Sequence, residues 1–462
     1  MRGTVTTGAA GQDASAVAAV VDAAMARARE ALAGRQAEAL AALAALTAAR
    51  EGAVAAARAA DAGTARRGLE AAARALDDRP RRLLFDALSE VRGSAEEATV
   101  SALASTSLGP TGGWIRAYRR HISQRLARAV LIPTWECELR CSYCWIPKQG
   151  GRVMTRATAE RAVDLLLTAA APAVDLQFFG GEALLEAELV RHAMDYATAR
   201  GAEVGKRVTF VLSSNGWSLD AAKLAWLADK PVKLELSLDG DARTQTTYRR
   251  SNVAGEDSYT RSIAANVGPI LASGLPYDVI MVVQPRTAAH LAHNFFHIVG
   301  LGFERVQINF ALGERWTPGH ITTFASELFA IGEQLAERRA RGERVTLVNL
   351  ENAPMPVRLN GEIHVDWDGT IYGSNGFLNE NERKADFVVG HLDDLAGFDR
   401  YWLDAPENDF LLERTYPPDI TANNLEVGKV LASFVRYLQP RLPPLASGDD
   451  RSARRLYAPD LV

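Results

Sequence analysis

From about residue 127 onward, short runs of β-branched and apolar residues alternate with longer stretches whose apolar positions recur at helical spacing. The runs lie at 127–133, 174–179, 207–213, 232–237, 277–283 and 305–310. The helical stretches fall between and after them, near 156–170, 184–199, 219–228, 257–272, 287–299 and 322–340. Strands that alternate with helices predict parallel βαβ units. Six such units give an α/β fold of the partial (β/α)6 barrel type, with the working residues at the C-terminal ends of the strands.

The pattern differs on either side of this region. Residues 1–15 carry no apolar periodicity and are expected to be a disordered tail. Residues 16–112 are dominated by alanine with interspersed Arg and Glu, which predicts a helical N-terminal domain. Gly34, Gly63 and the stretch 77–80 divide it into helices, and 109–113 is a loop signal that sets the boundary. Leu83, Leu84, Phe85, Leu88 and Val91 form a stripe at helical spacing. The barrel is therefore expected over 113–340 and an α+β C-terminal extension over 341–462. In the extension, 361–373 reads as a hairpin, two β-rich arms around Asp368-Gly369. A last amphipathic helix follows Pro417-Pro418, with Phe434 on it and Trp402 and Phe410 before it as core candidates.

Charge and composition narrow the function. A net charge of −4 over 462 residues leaves no global basic field for nucleic acid. No apolar run reaches the roughly 20 residues needed to span a bilayer. The N-terminus lacks the charged-then-apolar pattern of a secretory signal, so a cytoplasmic protein without nucleic-acid or membrane partners is expected.

The chemistry is concentrated in 134–144, which holds every cysteine of the chain: Cys137, Cys141 and Cys144, spaced CxxxCxxC. Three thiolates on one loop can hold three irons of a cubane cluster and leave the fourth open to another ligand. Three cysteines cannot complete a disulfide set, and a closed zinc site needs a fourth ligand nearby. Such a cluster also belongs in a reducing compartment. His290, His293 and His297 share one helix face at metal-ligand spacing, although Phe295 and Phe296 beside them favour a packed or surface face. Gln307 and Asn309 alternate on the sixth strand and so point the same way, as contacts for a ligand or as paired core amides.

The CxxxCxYC loop after a first strand resembles the radical SAM superfamily, and later motifs fall where that family's do. Phe178-Phe179-Gly180-Gly181-Glu182 matches its GGE motif, which implies that Gly180, Gly181 and Glu182 hold the amino group of S-adenosylmethionine. Ser213-Ser214-Asn215-Gly216 looks like the family's (S/T)NG segment near that cofactor, giving Ser213 and Asn215; an Asn-Gly turn is the alternative. Ser237-Leu238-Asp239-Gly240 with Arg249 resembles the SxDGxxxxHDxxR pattern of the SPASM-type subgroup, in which serine and arginine bind the cofactor's carboxylate. Gln245 and Thr246 replace the usual His-Asp pair, so the resemblance extends to Ser237 and Arg249, with Arg250 as the fallback. Tyr143 stands at the position placed against adenine. Glu138 occupies a position where many relatives carry asparagine.

The hairpin at 361–373, with 389–392 after it, is similar to that of the SPASM extension. Its cysteines are missing, since Gly373 and Ser374 stand at the ligand position. The resemblance thus implies a one-cluster enzyme. Its single [4Fe-4S] cluster would cleave S-adenosylmethionine to a 5'-deoxyadenosyl radical that abstracts hydrogen from a substrate. It further implies an external one-electron reductant, flavodoxin- or ferredoxin-like, and a ribosomally made precursor peptide as substrate, crosslinked or otherwise modified. A small-molecule substrate and a non-catalytic scaffold are the alternatives. Tyr372 joins Gln307 and Asn309 as a candidate substrate contact.

Overall fold

A computed structural model of the chain describes residues 127–148, 150–169, 171–351, 362–373, 375–379, 387–393, 398 and 416–445. The expected tail and helical N-terminal domain, together with Ser374, Trp402 and Phe410, lie outside the described residues.

The elements run β1 (Ala127–Leu131), β2 (Leu139–Cys141), α1 (Arg156–Leu167), β3 (Ala173–Phe178), α2 (Ala187–Glu203), β4 (Arg207–Ser214), α3 (Ala221–Ala228) and β5 (Val232–Ser237). They continue with α4 (Ala242–Tyr248), β6 (Arg249–Ser251), α5 (Val267–Ser273), β7 (Tyr277–Val283), α6 (Leu291–Gly300), β8 (Arg305–Phe310), α7 (Pro318–Ala340) and β9 (Thr346–Leu347). The last are β10 (Ile363–Val365), β11 (Thr370–Tyr372), β12 (Val388–His391) and α8 (Pro418–Leu438). One sheet has the order β12-β11-β10-β1-β3-β4-β5-β7-β8-β9. Its centre, β1-β3-β4-β5-β7-β8, is parallel throughout and corresponds to the six runs read from the sequence.

Strict alternation on β5 and β8 gives the sheet two chemically different faces there. Val232, Leu234 and Leu236 on β5 and Val306, Ile308 and Phe310 on β8 are buried, while the residues between them are half-buried. The opposite face carries Arg128, Gln177, Ser213, Glu235, Gln307 and Asn309. Gln177 Nε2 lies 3.2 Å and Ser213 Oγ 2.9 Å from Glu235 Oε2, and Gln307 donates to Asn309 at 2.9 Å. Side chains of period two make both surfaces from one strand sequence.

Three helical stretches depart from the expected single helices, and the one at 184–199 begins as a 3-10 turn, Ala183–Glu186, before α2. The stretch at 257–272 breaks into a π-helical turn, Thr260–Ala264, and α5. Asn266 sits at the break and donates to Gly216 O (2.8 Å) and Arg261 O (2.9 Å), which ties the chain there to the loop after β4. The stretch at 287–299 begins as a 3-10 turn after Gln284 and becomes α6 only at Leu291. The hairpin arms β10 and β11 meet around Asp366–Gly369 as expected, and β10 docks parallel on β1. No helix of the described residues is long and apolar enough to cross a membrane.

Candidate functional site

The cysteine loop leaves the end of β1 and is fixed from three sides. Ile132 N donates to Val365 O at 3.0 Å. The fully buried Trp135 donates its indole N–H to Asp366 Oδ1 at 2.7 Å and meets Phe377 edge-on, and Phe377 in turn stacks on Tyr372 with ring centroids 3.9 Å apart. The C-terminal hairpin therefore props the start of the loop, and Tyr372 belongs to that prop. On the second side, the short antiparallel pair β2–β6 sets Cys141 opposite Arg249. On the third, Gly181 N donates to Thr134 O (3.0 Å) and Glu182 N to Glu136 O (2.8 Å). This approach requires glycine: a Cβ on Gly181 would lie 2.0 Å from Glu136 O, and Gly180 has φ +122°.

The three cysteines are half-buried free thiols. Cys137 Sγ accepts from Leu139 N at 3.4 Å and from Asn215 Nδ2 at 3.5 Å, and Cys144 Sγ accepts from Lys148 Nζ at 2.9 Å. Burial pushes the Cys137 thiol up to about 12, against the pull of Lys148. Burial likewise raises Cys141, against the pull of Arg249. Protonated thiols in such a seat become ligands once a metal displaces the proton. Among the described residues, no three His, Cys, Asp or Glu side chains gather around one point as a single metal ion requires. His293 instead lies 3.3 Å from Asp241, and His297 shares a 2.9 Å hydrogen bond with Tyr259.

Beside the thiols lies a buried carboxylate. Glu182 accepts from Asn215 N (2.7 Å), Ser214 Oγ (3.0 Å) and Leu184 N (3.1 Å). Burial, with the nearby Glu138 charge adding to it, raises its carboxyl to about 7 against those three donors. Adjacent strand residues face opposite ways, so Ser213 turns to Glu235 and Ser214, which sequence reasoning passed over, serves Glu182. Glu138 is not idle: it accepts from Asn215 Nδ2 at 3.2 Å and from the Ser218 hydroxyl. It thus holds the amide that reaches Cys137.

The third component is a buried cation. Tyr143 donates to Asp239 Oδ2 at 2.7 Å, and Arg249 Nη1 donates to the Tyr143 oxygen and lies 3.8 Å from Asp239 Oδ1. Asp239 is fixed further by Val282 N at 3.1 Å, and its own N–H donates to Gln245 Oε1 at 3.0 Å. Gln245, at the departure from the family pattern, is thus a buried support for the loop. Arg249 is 6% exposed, and its Nε has no hydrogen-bond partner among the described residues. Asp239 stood inside a motif quoted for its serine and could have been found there. Lys148 had no sequence signal beyond its nearness to Cys144.

Residues 131–287 match the model of the Radical SAM superfamily. The chain is 26% identical over 180 residues to an uncharacterized protein of Methanocaldococcus jannaschii, covering 39% of this chain and 61% of that protein. It is 27% identical over 124 residues to an uncharacterized protein of Methanothermobacter thermautotrophicus, covering 27% and 46%. The chain thus spans between about half and three-fifths of the length of these relatives. Among solved structures, anSMEcpe with bound AdoMet and the Kp18Cys peptide has a similar fold, with a TM-score of 0.53 at 18% identity over 61% of this chain and 82% of that one.

The superfamily's cofactors are a [4Fe-4S] cluster and S-adenosylmethionine. The side chains present fit both. Three free thiols share one loop; a buried carboxylate can face an ammonium; and a buried guanidinium with an unpartnered Nε can face a carboxylate.

Proposed function

We propose that this chain, whose residues 131–287 form a radical SAM domain, uses one [4Fe-4S] cluster at Cys137, Cys141 and Cys144 to act on a peptide. The protein is a radical SAM enzyme. When bound, its cofactors supply one-electron cleavage of the sulfonium and abstraction of a substrate hydrogen; the protein's part is to bind, orient and exclude water. Gly180 and Gly181 let the backbone approach the cofactor closely, and Glu182 takes its ammonium. Arg249, braced by Tyr143 and Asp239, takes its carboxylate with Ser237. Tyr143 faces the adenine. Asn215 links the thiol loop to Glu182 through its backbone N–H and its side-chain amide, and Ser213 belongs to the polar inner face. The observation that carries this reading is the locked contact of Gly181 and Glu182 with the loop backbone, which joins the thiols to the carboxylate as one unit.

The peptide reading is supported by the polar sheet face that carries Gln307 and Asn309 on β8 and Glu235 with Gln177 on the strands before it, since amides can hydrogen-bond a peptide backbone. It is supported also by the likeness in fold to anSMEcpe, which was solved with a peptide bound. Tyr372 supports the site through Phe377. We assign the described residues up to 340 to the barrel and those after it to an extension without auxiliary clusters. An external flavodoxin- or ferredoxin-like reductant in the cytoplasm supplies the electron.

Two measurements test this. Reconstituted protein should carry about four irons per chain, and about eight would refute the single cluster. A precursor peptide co-expressed with the enzyme should change mass or take up deuterium; modification of a free sugar, nucleoside or amino acid instead would replace the peptide reading.

A further inference from the structure

Lys148 is the one non-glycine residue at positive φ among the described residues, at +56°. A side-chain-bearing residue adopts this conformation at a cost, and such residues concentrate where the surroundings hold them for a purpose. Lys148 is also half-buried, yet it forms no ion pair with a carboxylate among the described residues. Its Nζ instead lies 2.9 Å from Cys144 Sγ, and its charge acts on Cys137 and Cys141 as well. Among the described residues Cys137 has two amide donors, whereas Cys144 has only this ammonium. The two observations are independent: one concerns the backbone, the other the partner chosen by a half-buried cation.

We propose that Lys148 is a positioning residue for electron transfer, which donates to the Cys144 sulfur and thereby raises the reduction potential of the cluster. This rests on the cluster seat argued above. Reduction adds one electron from the external donor to the cluster and changes no covalent bond in Lys148. The added negative charge is stabilised by a nearby ammonium and by an N–H···S bond, both of which favour the reduced form. The strained backbone aims the side chain at the thiol, whereas a relaxed φ at 148 would redirect it.

The test compares anaerobically reconstituted wild type, K148R and K148M by EPR-monitored redox titration without S-adenosylmethionine. The midpoint is read from the fraction of chains that hold a cluster, so partial loading does not blur it. K148M should disfavour reduction about tenfold, equal to about 59 mV for one electron, and K148R should retain most of the wild-type value. An unchanged midpoint in K148M overturns the proposal. So does faster iron uptake by K148M at an unchanged midpoint, because Lys148 would then merely fill the empty seat. A K148M chain that binds no iron while K148R does would also overturn it, since the lysine would be a requirement of assembly. Failure of the wild type to take up iron would instead refute the cluster seat itself.

Discussion

Gly181 packs directly against the backbone of the thiol loop, and replacing it with alanine gives the sharpest structural prediction. The added Cβ would lie 2.0 Å from Glu136 O, 2.6 Å from Glu136 C and 2.7 Å from Trp135 O. All three are backbone atoms, so no side chain can swing aside. Neither strand of the contact is free to retreat, because Gly181 N and Glu182 N both donate into the same loop. Overpacking in a compliant core costs about 1–3 kcal/mol, and a clash against fixed backbone should reach or exceed the upper end. G181A should therefore lower the thermal midpoint, displace the loop and reduce iron retained after reconstitution to a small fraction of wild type. G268A is the matched control: nothing lies within 4 Å of its added Cβ, and it sits inside α5. Glycine to alanine in a helix should stabilise by up to about 1 kcal/mol and leave iron content unchanged. Wild-type melting and iron content in G181A would refute the locked contact.

Other outcomes follow from the same geometry. The Glu182 carboxyl is raised from its ordinary 4.5 to about 7, so the folded protein binds a proton that the unfolded chain has released between those values. Stability of the cluster-free protein should accordingly fall as pH rises from 4.5 to 7, by roughly 3 kcal/mol in total. Urea titrations across that range should show this slope in wild type and not in E182Q; an identical slope in both would contradict the assignment. D366A should destabilise by about 1–3 kcal/mol and loosen the thiol loop by removing the carboxylate that accepts from the buried Trp135 N–H, seen as a lower denaturation midpoint and slower cluster uptake. R249K keeps the charge but not the planar fork, so equilibrium dialysis should show S-adenosylmethionine binding weakened about tenfold at unchanged iron content.

How much of this was legible in the chain depends on length scale. The six parallel strands could be read because each is a short run of β-branched and apolar residues set between helical stretches, fully buried in β3 and alternating in β8, where Val306, Ile308 and Phe310 are buried. The β2–β6 pair could not, because three residues per arm carry no period, and only the fold brings Cys141 to Arg249. The thiol triad was legible from its spacing alone. Which of two adjacent serines serves Glu182 was not, because a one-residue step on a strand reverses the face and composition cannot say which way a strand is turned. Glu138 stands where many relatives carry asparagine, and only the fold shows what it does: it grips Asn215 and its charge helps raise Glu182. Lys148 was invisible for a different reason, since its role depends on one backbone angle.

The central claim is that Cys137, Cys141 and Cys144 form the seat at which S-adenosylmethionine is cleaved. Its most direct test is the release of 5'-deoxyadenosine from anaerobically reconstituted protein given dithionite and S-adenosylmethionine. The wild type should release it, and the variant with all three cysteines changed to alanine should release none. Continued release by the triple variant, or no release from a fully iron-loaded wild type, would contradict the account.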